Sequence, residues 1–201
     1  MFHMTAGSVE ATSVVQAVRL LGWLGQVAGP VRFGGLRLWA VADLDLAEHD
    51  RRLRRGLGPI VDREMLERRL DEAARKPGEI GLPLRLAGCL VVAQNPQSAT
   101  QDASLLAAYA PRAVLVPDVC DVLGLLVDAA VLDQGVVCQG PGGMRLLAHA
   151  GPRVVGGDVD AREWELLERV YDALLGAPTS RSDHPTEPVR TTASRSPTGA
   201  P

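Results

Sequence analysis

The amino-acid sequence predicts an α/β fold, with a mixed, mostly central-parallel sheet flanked by helices and a tendency to three layers. Four short apolar runs, typical of buried strands, occupy residues 88–93, 113–116, 135–138 and 153–155. Segments with helical spacing of apolar residues lie between and after these runs, and turn-forming residues separate them. Strands that alternate with helices in this way are typical of a sheet with parallel strands.

Length and composition predict a single α/β domain over residues 1–176, long enough to bury a core without disulfides or metal ions. The cysteines Cys89, Cys120 and Cys138 are widely spaced beside apolar runs, which indicates free buried thiols. Residues 177–201 are rich in Ser, Thr, Pro and Arg and predict a disordered tail. Without a secretory signal pattern or a long apolar run, we expect a cytoplasmic protein that makes no membrane contact.

The N-terminal part begins with a predicted helix over residues 9–24, where apolar residues recur at helical spacing. Residues 25–35 are punctuated by Gly and Pro and predict a turn. Residues 36–46 predict a strand. One face of this strand carries Leu36, Leu38, Ala40 and Ala42.

Two helices are predicted to follow this strand. Acidic residues within 43–50 precede arginines within 51–55. Because the helix macrodipole favours negative charge near the start of a helix and positive charge near its end, this order predicts a short solvated helix. Residues 60–76 predict a longer helix with ion pairs four residues apart on its exposed side. Its expected buried stripe is Val61, Met65, Leu66, Leu70 and Ala73. The expected pairs are Glu64–Arg68, Asp71–Arg75 and Glu72–Lys76.

The C-terminal half supplies the predicted centre of the sheet. Residues 84–94 are nearly all apolar, as in a central strand covered on both faces. Ser98 and Gln101 form a capping box for a helix that continues to Ala110. The residues of this helix expected to face inward are Leu105, Leu106 and Tyr109. Residues 113–116 predict a strand, and residues 119–127 fit either a helix or a strand.

The glycine-rich segment 140–143 has two interpretations, a phosphate-type loop before a helix or the turn of a β-hairpin. The alternation of Met144, Leu146 and Ala148 with residues of the opposite face favours the hairpin. Asp160 and Glu163 predict a capping box for the last helix. The expected buried stripe of that helix is Trp164, Leu167, Val170, Tyr171 and Leu174.

Asp43 and Asp45 form the sharpest local pattern for chemistry, because they follow an apolar strand directly. Two carboxylates at the end of a strand are suited to bind Mg²⁺, or to act as a nucleophile and a general acid. Residues 41–45 (Val-Ala-Asp-Leu-Asp) resemble the first motif of the haloacid-dehalogenase phosphatases, which implies phosphoryl hydrolysis. Leu46 and Ala47 stand where that motif continues into a Thr-containing turn. The simpler interpretation is that the acidic cluster caps the following helix.

A second set of candidates is suited to ligands other than metals. Gln94 and Asn95 end the central strand and offer amide groups to a ligand, or else form an ordinary loop. Gly140, Gly142 and Gly143 offer backbone N–H groups to a phosphate, unless they form the hairpin turn.

The order of elements over residues 84–175 resembles the core of the restriction-endonuclease-like superfamily. A central strand, a helix with Gln101 and Tyr109, a strand, a strand pair and a final helix with Trp164 carry the resemblance. It implies a Mg²⁺ site in which an upstream Asp joins Glu-x-Lys on the central strand. The upstream candidates are Asp43, Asp45 and Asp62, and Val92 and Gln94 occupy the Glu and Lys positions. The resemblance therefore implies a degenerate relative that binds rather than cuts.

Together these observations predict a non-catalytic binding module that contacts protein or nucleic acid, without a metal or cofactor. We expect a contiguous basic or apolar patch on such a module, including residues 51–55. One alternative function is a Mg²⁺-dependent phosphoryl hydrolase or nuclease that uses Asp43 and Asp45. The other is a small-ligand or nucleotide binder at residues 140–143. Mg²⁺ enters only under the first alternative, and the sequence predicts no oligomeric state.

Overall fold

The computed structural model describes residues 6–75, 81–93, 95–117, 122–153 and 159–176. Six helices and six strands lie within these residues. In chain order they are α1 (Ala6–Leu21), β1 (Gln26–Phe33), β2 (Leu36–Leu44), α2 (Leu46–Arg54), α3 (Arg63–Arg75), β3 (Leu84–Val92), α4 (Pro96–Ser104), β4 (Arg112–Pro117), α5 (Val122–Val131), β5 (Gly135–Gly140), β6 (Gly143–Ala148) and α6 (Ala161–Gly176).

All six strands form one sheet in chain order from β1 to β6. Strands β3, β4 and β5 are parallel, and helices α4 and α5 connect them. The pairs β1–β2, β2–β3 and β5–β6 are antiparallel. The predicted α/β fold with a parallel centre is confirmed. The hairpin is confirmed as well, because Gly140 pairs with Gly143 across the turn.

The two faces of the sheet bury separate cores, which gives three layers. Helices α4, α5 and α6 cover one face, where they pack on side chains such as Cys89 and Val114. Helix α1 covers the other face and packs on Leu90, Leu115 and Val137. The side chains alternate because successive residues of a strand point to opposite faces. Within the described residues, no helix is long and apolar enough to cross a membrane.

The turn predicted over residues 25–35 is wrong, because most of this segment is strand β1. A register shift between Ala28 and Val31 places Pro30 in an irregularity of an edge strand, where a missing N–H costs little. The turn itself is confined to Gly34 and Gly35, both with positive φ, as the two-residue loop of a hairpin requires. Gly and Pro therefore mark a bulge as well as a turn.

Two helices bury fewer residues than their patterns predict. Val61, which precedes α3, and Met65 are 48 % and 55 % exposed, whereas Leu66 of α3 is buried against Trp164. Helix α4 ends at Ser104 instead of Ala110, and tight turns follow it. These turns leave Leu105 61 % exposed, while Leu106 is buried.

The remaining predictions fall into three groups. Residues 119–127, left open between helix and strand, are helical from Val122 onward. Arg153, the first residue of the apolar run at 153–155, lies outside any strand. Several predictions fall outside the residues that the structure describes, namely those on Lys76, Gln94, Cys120, residues 154–158 and residues 177–201. Cys89 and Cys138 are buried thiols, as predicted.

Candidate functional site

A cleft of about 680 Å³ opens where β2 ends, β3 and β4 begin and α6 starts. We call it the Asp43 cleft. Its apolar lining is Leu44, Leu82, Leu84, Leu86, Pro111, Val159 and Leu167. Its polar lining is Asp43, Asp45, Arg85, Tyr109, Arg153 and Glu163. The structure thus brings both predicted aspartates into one cleft, together with four polar residues that the sequence did not single out as a site.

The charged side chains of the cleft occur mainly as opposite pairs. Asp43 and Arg85 face each other across the antiparallel β2–β3 ladder, and both are exposed. Arg153 and Glu163 form a two-pronged ion pair, with distances of 2.7 Å (Nη1–Oε1) and 2.8 Å (Nη2–Oε2). Because two parallel hydrogen bonds join its guanidinium to the Glu163 carboxylate, the Arg153 side chain is held above the start of α6. The rim therefore carries both signs of charge in nearly equal numbers.

Tyr109 adds a neutral hydroxyl to this rim. Burial raises the pKa of its phenol, and the charge of Asp160 raises it further, while Arg162 acts in the opposite direction. The hydroxyl consequently keeps its proton well above neutral pH. The Tyr109 ring contacts Phe33 edge to face, with centroids 5.7 Å apart. This contact holds the phenol at the mouth of the cleft.

Asp45 and Asp62 serve as helix caps. Asp45 is the N-cap of α2, and its Oδ1 accepts the Glu48 backbone N–H at 2.9 Å. Asp62 Oδ1 accepts the Met65 N–H at 3.0 Å in the same way. In the part of the chain that the structure describes, no group of three or more His, Cys, Asp or Glu side chains could hold a metal ion. Asp43 and Asp45 share the cleft with Glu163, but these three carboxylates do not form such a group.

The other candidate residues lie at the opposite end of the sheet. There the carboxyl ends of β3, β4 and β5 border a second cavity of about 680 Å³, which we call the β4 depression. It is lined by Val92, Ala93, Leu115, Val116, Pro117, Gln139, Gly140 and Pro141. Asn95 is exposed beyond β3, and Gln94 lies outside the described residues. Gly142 and Gly143 are exposed in the hairpin turn, where an added Cβ would meet no atom within 4 Å.

The β4 depression is poor in polar groups, and Gln139 is the only polar side chain among the described residues that line it. Open α/β sheets form a ligand crevice where helices switch from one face to the other. Here α4 and α5 lie on the same face, so these strands have no such switch point. Of the hairpin glycines, Gly140 lines the β4 depression, while Gly142 and Gly143 are exposed in the turn.

A buried ionic network, which the sequence did not predict, holds α2 against α6. Arg52 Nη1 lies 2.8 Å from Glu168 Oε1 and 2.9 Å from its Oε2, and both side chains are almost fully buried. Glu168 also accepts the Ile60 backbone N–H and the Trp164 indole N–H. Glu48 contacts Arg52 Nε at 3.3 Å. The only sequence signal for this network was the four-residue spacing of Glu48 and Arg52, which reads equally well as an exposed pair.

The expected solvated helix is therefore wrong in one respect, because Glu48 and Arg52 of α2 are buried. Arg51 also pairs with Glu48, at 2.8 Å. On α3, Arg69 pairs with Glu72 at 3.3 Å. Arginines from both helices surround a cavity of only about 10 Å³, together with the Glu48 carboxylate. Four arginines and one glutamate line this cavity, and Arg54 and Arg55 are exposed, so the basic patch expected around residues 51–55 stays a prediction.

Comparison of the chain with models of protein families, with curated protein sequences and with solved structures gave no match.

Proposed function

We propose that the protein is a non-catalytic binding module that takes a segment of a protein partner into the Asp43 cleft. The observation that carries this proposal is the composition of the cleft, which joins an apolar floor to a polar rim of both charges. A polypeptide offers the same combination, with apolar side chains for the floor and backbone amides and charges for the rim.

The size of the cleft supports this proposal. Its volume of about 680 Å³ falls inside the range of about 300–1,000 Å³ that is usual for ligand sites. Leu84 and Leu86 on β3 and Leu167 on α6 line its floor. Burial of one or two apolar side chains of a partner against these leucines would provide the main driving force.

The charges of the rim favour a peptide over a nucleic acid. Nucleic-acid binding depends on cationic side chains that replace counterions along the phosphates. In the cleft, Glu163 already neutralises Arg153, and Asp43 lies opposite Arg85. The remaining cleft charge, on Asp45, is negative. Such a rim repels a polyphosphate backbone as much as it attracts it.

The geometry of β3 supports a binding role over a nuclease role. Asp43 pairs with Arg85 near the start of β3, and Val92 ends that strand. Val92 lies seven residue steps along the strand from Arg85, about 23 Å at 3.3 Å per step. A carboxylate at Val92 would thus lie too far from Asp43 to share a metal ion. The resemblance to the restriction-endonuclease-like superfamily remains a proposal, and within it this chain fits a relative that binds.

The proposal is tested by selecting binders from a random peptide library displayed on phage, using the full chain. Selected peptides are then titrated against wild type, Asp43→Arg in the cleft, and Gln139→Arg in the β4 depression. Both substituted residues are exposed, so neither variant should perturb folding. We expect at least a tenfold loss of affinity for Asp43→Arg and less than a twofold change for Gln139→Arg.

Three outcomes would contradict the proposal. These outcomes are that the library yields no enriched peptide, that the selected peptides bind Asp43→Arg as well as wild type, or that Gln139→Arg abolishes binding instead. Single- and double-stranded DNA of random sequence, titrated at about 150 mM salt, tests the nucleic-acid alternative. Binding of DNA tighter than that of any selected peptide would favour that alternative.

A further inference from the structure

Strand β3 starts well before its neighbour β4, so one edge of β3 is paired over only part of its length. On one side, β3 pairs with β2 from Leu84 to Val91. On the other side, the ladder with β4 begins where Cys89 pairs with Arg112. Within the described residues, no strand lies beside residues 84–88 on the β4 side. We call this stretch the open β3 edge.

The pairing with β2 shows which backbone groups of β3 point toward the open β3 edge. The Asp45 N–H donates to the Pro83 carbonyl at 2.9 Å, so the backbone of Pro83 faces β2. Successive residues of an antiparallel strand turn their N–H and C=O groups alternately to the two sides. The backbone groups of Arg85 therefore face β2, whereas those of Leu84 and Leu86 point away from it.

The contacts with β4 agree with this assignment. The Cys89 N–H donates to the Pro111 carbonyl at 2.9 Å, so the backbone of Cys89 faces β4. A bulge that leaves Ala87 unpaired resets the alternation and keeps Leu86 and Cys89 turned to the same side. In the part of the chain that the structure describes, no backbone hydrogen bond reaches Leu84 or Leu86 from this side.

The open β3 edge borders the Asp43 cleft. Leu84, Leu86 and Pro111 all line the cleft, and Pro111 directly precedes β4. The cavity therefore lies between the open β3 edge and the line along which β4 would extend. A strand added there would run about 4.8 Å from β3, the ordinary spacing within a sheet.

We propose that the partner segment binds in the Asp43 cleft as an extended strand that pairs with the backbone of Leu84 and Leu86. This inference rests on the proposed function and states the conformation in which the partner is recognised. The N–H and C=O groups of an open strand edge select an extended polypeptide, because another backbone presents acceptors and donors at the matching spacing.

The added strand also meets the apolar floor of the cleft with its side chains. Leu84 and Leu86 belong to the core on the α6 side of the sheet, together with Leu167. Side chains of directly opposed residues on neighbouring strands lie on the same face. Partner residues opposite the two leucines would therefore pack on Leu167, and the residues between them would lie on the face of Arg85. The preferred partner thus carries an apolar residue at every second position.

Peptides selected with the full chain test this mode of binding. Each residue of a selected peptide is methylated in turn on its backbone nitrogen, and the affinity of each methylated peptide is measured. Because alternate N–H groups of an added strand face β3, we expect losses of about tenfold at every second position and changes below about twofold between them. The same peptide without a methyl group is the reference.

Amide hydrogen exchange of the protein provides a matched control within one strand. In the protein without peptide, the amides of Leu84 and Leu86 should exchange faster than those of Arg85 and Leu90, which face β2. A bound peptide should slow exchange at Leu84 and Leu86 about tenfold and leave Arg85 and Leu90 unchanged. A peptide held by side chains alone would slow neither pair.

Three results would overturn the added strand. The methyl scan shows no alternation, the bound peptide leaves exchange at Leu84 and Leu86 unchanged, or these two amides already exchange slowly without peptide. The last result would show that this chain or a second copy pairs with the edge. If the peptides still lose affinity for Asp43→Arg in these cases, the cleft remains the binding site and only the strand is wrong. A library without any enriched peptide would overturn both proposals together.

Discussion

The two ends of strands β3 and β4 differ in what they present to a ligand. At the amino-terminal end, the Asp43 cleft joins an apolar floor to paired charges and the neutral phenol of Tyr109. At the carboxyl end, the β4 depression is lined by apolar side chains and Gln139. Parallel sheets usually bind ligands at the carboxyl end. Here both crossover helices lie on one face, so the carboxyl end of the sheet lacks the crevice between helices that usually makes it the binding end.

The largest expected effect concerns the buried ionic network that joins α2 to α6. Arg52→Met leaves Glu168 buried without its ionic partner, so we expect a loss of about 3–5 kcal/mol in the free energy of unfolding. Urea denaturation measures it. Arg52→Met combined with Glu168→Met should recover part of the loss. Glu64→Gln on the exposed side of α3 is the control and should cost a few tenths of a kcal/mol. Equal losses for Arg52→Met and the control would show that the network contributes nothing.

A smaller effect is expected from the ion pair on the rim of the cleft. Glu163→Gln removes the charge that faces Arg153, and we expect a loss of about 1.5 kcal/mol. The matched control is Glu165→Gln on the same helix, because Glu165 pairs with Arg169 at 2.8 Å in a more exposed position. That control should change stability by a few tenths of a kcal/mol. Thermal denaturation of both variants checks the difference, and a larger loss for Glu165→Gln would argue against it.

The smallest expected change in stability tests whether Asp45 acts as a helix cap or as a functional carboxylate. Asp45→Ala should cost about 1 kcal/mol, because the Glu48 N–H loses its acceptor at the start of α2. Asp45→Asn keeps an oxygen acceptor and should remain within a few tenths of a kcal/mol of wild type. Both are measured by urea denaturation. If Asp45→Asn were as unstable as Asp45→Ala, the carboxylate charge would matter beyond its role as a cap.

Much of the fold was predictable because most helices and strands carry their own local signal. The apolar runs at 113–116 and 135–138 became β4 and β5, and the Asp160–Glu163 cap became the start of α6. Strand β1 was missed because its Gly29 and Pro30 are usually turn residues, and only its position at the sheet edge makes them acceptable. Edge positions depend on the order of strands in the sheet, which no local pattern reveals.

The candidate site was predictable only in part. Asp43 and Asp45 were found because they follow a strand, yet Arg85, Tyr109, Arg153 and Glu163 come from four other places in the chain. Their convergence depends on how α6 and the start of β4 pack on the sheet. The burial of Arg52 is similar, because its partner Glu168 lies 116 residues away. Contacts of such separation leave no periodicity in the sequence.

The central claim is that the Asp43 cleft, and not the β4 depression, is the binding site. Its most direct test is a titration of ¹⁵N-labelled wild-type protein with a selected peptide, followed by backbone amide chemical shifts. We expect the largest shift changes at residues 43–45, 84–86 and 163–167, and unchanged amides at residues 92–93, 115–116 and 139–140. The opposite distribution, with the largest changes at the second set and none around Asp43, would contradict the claim.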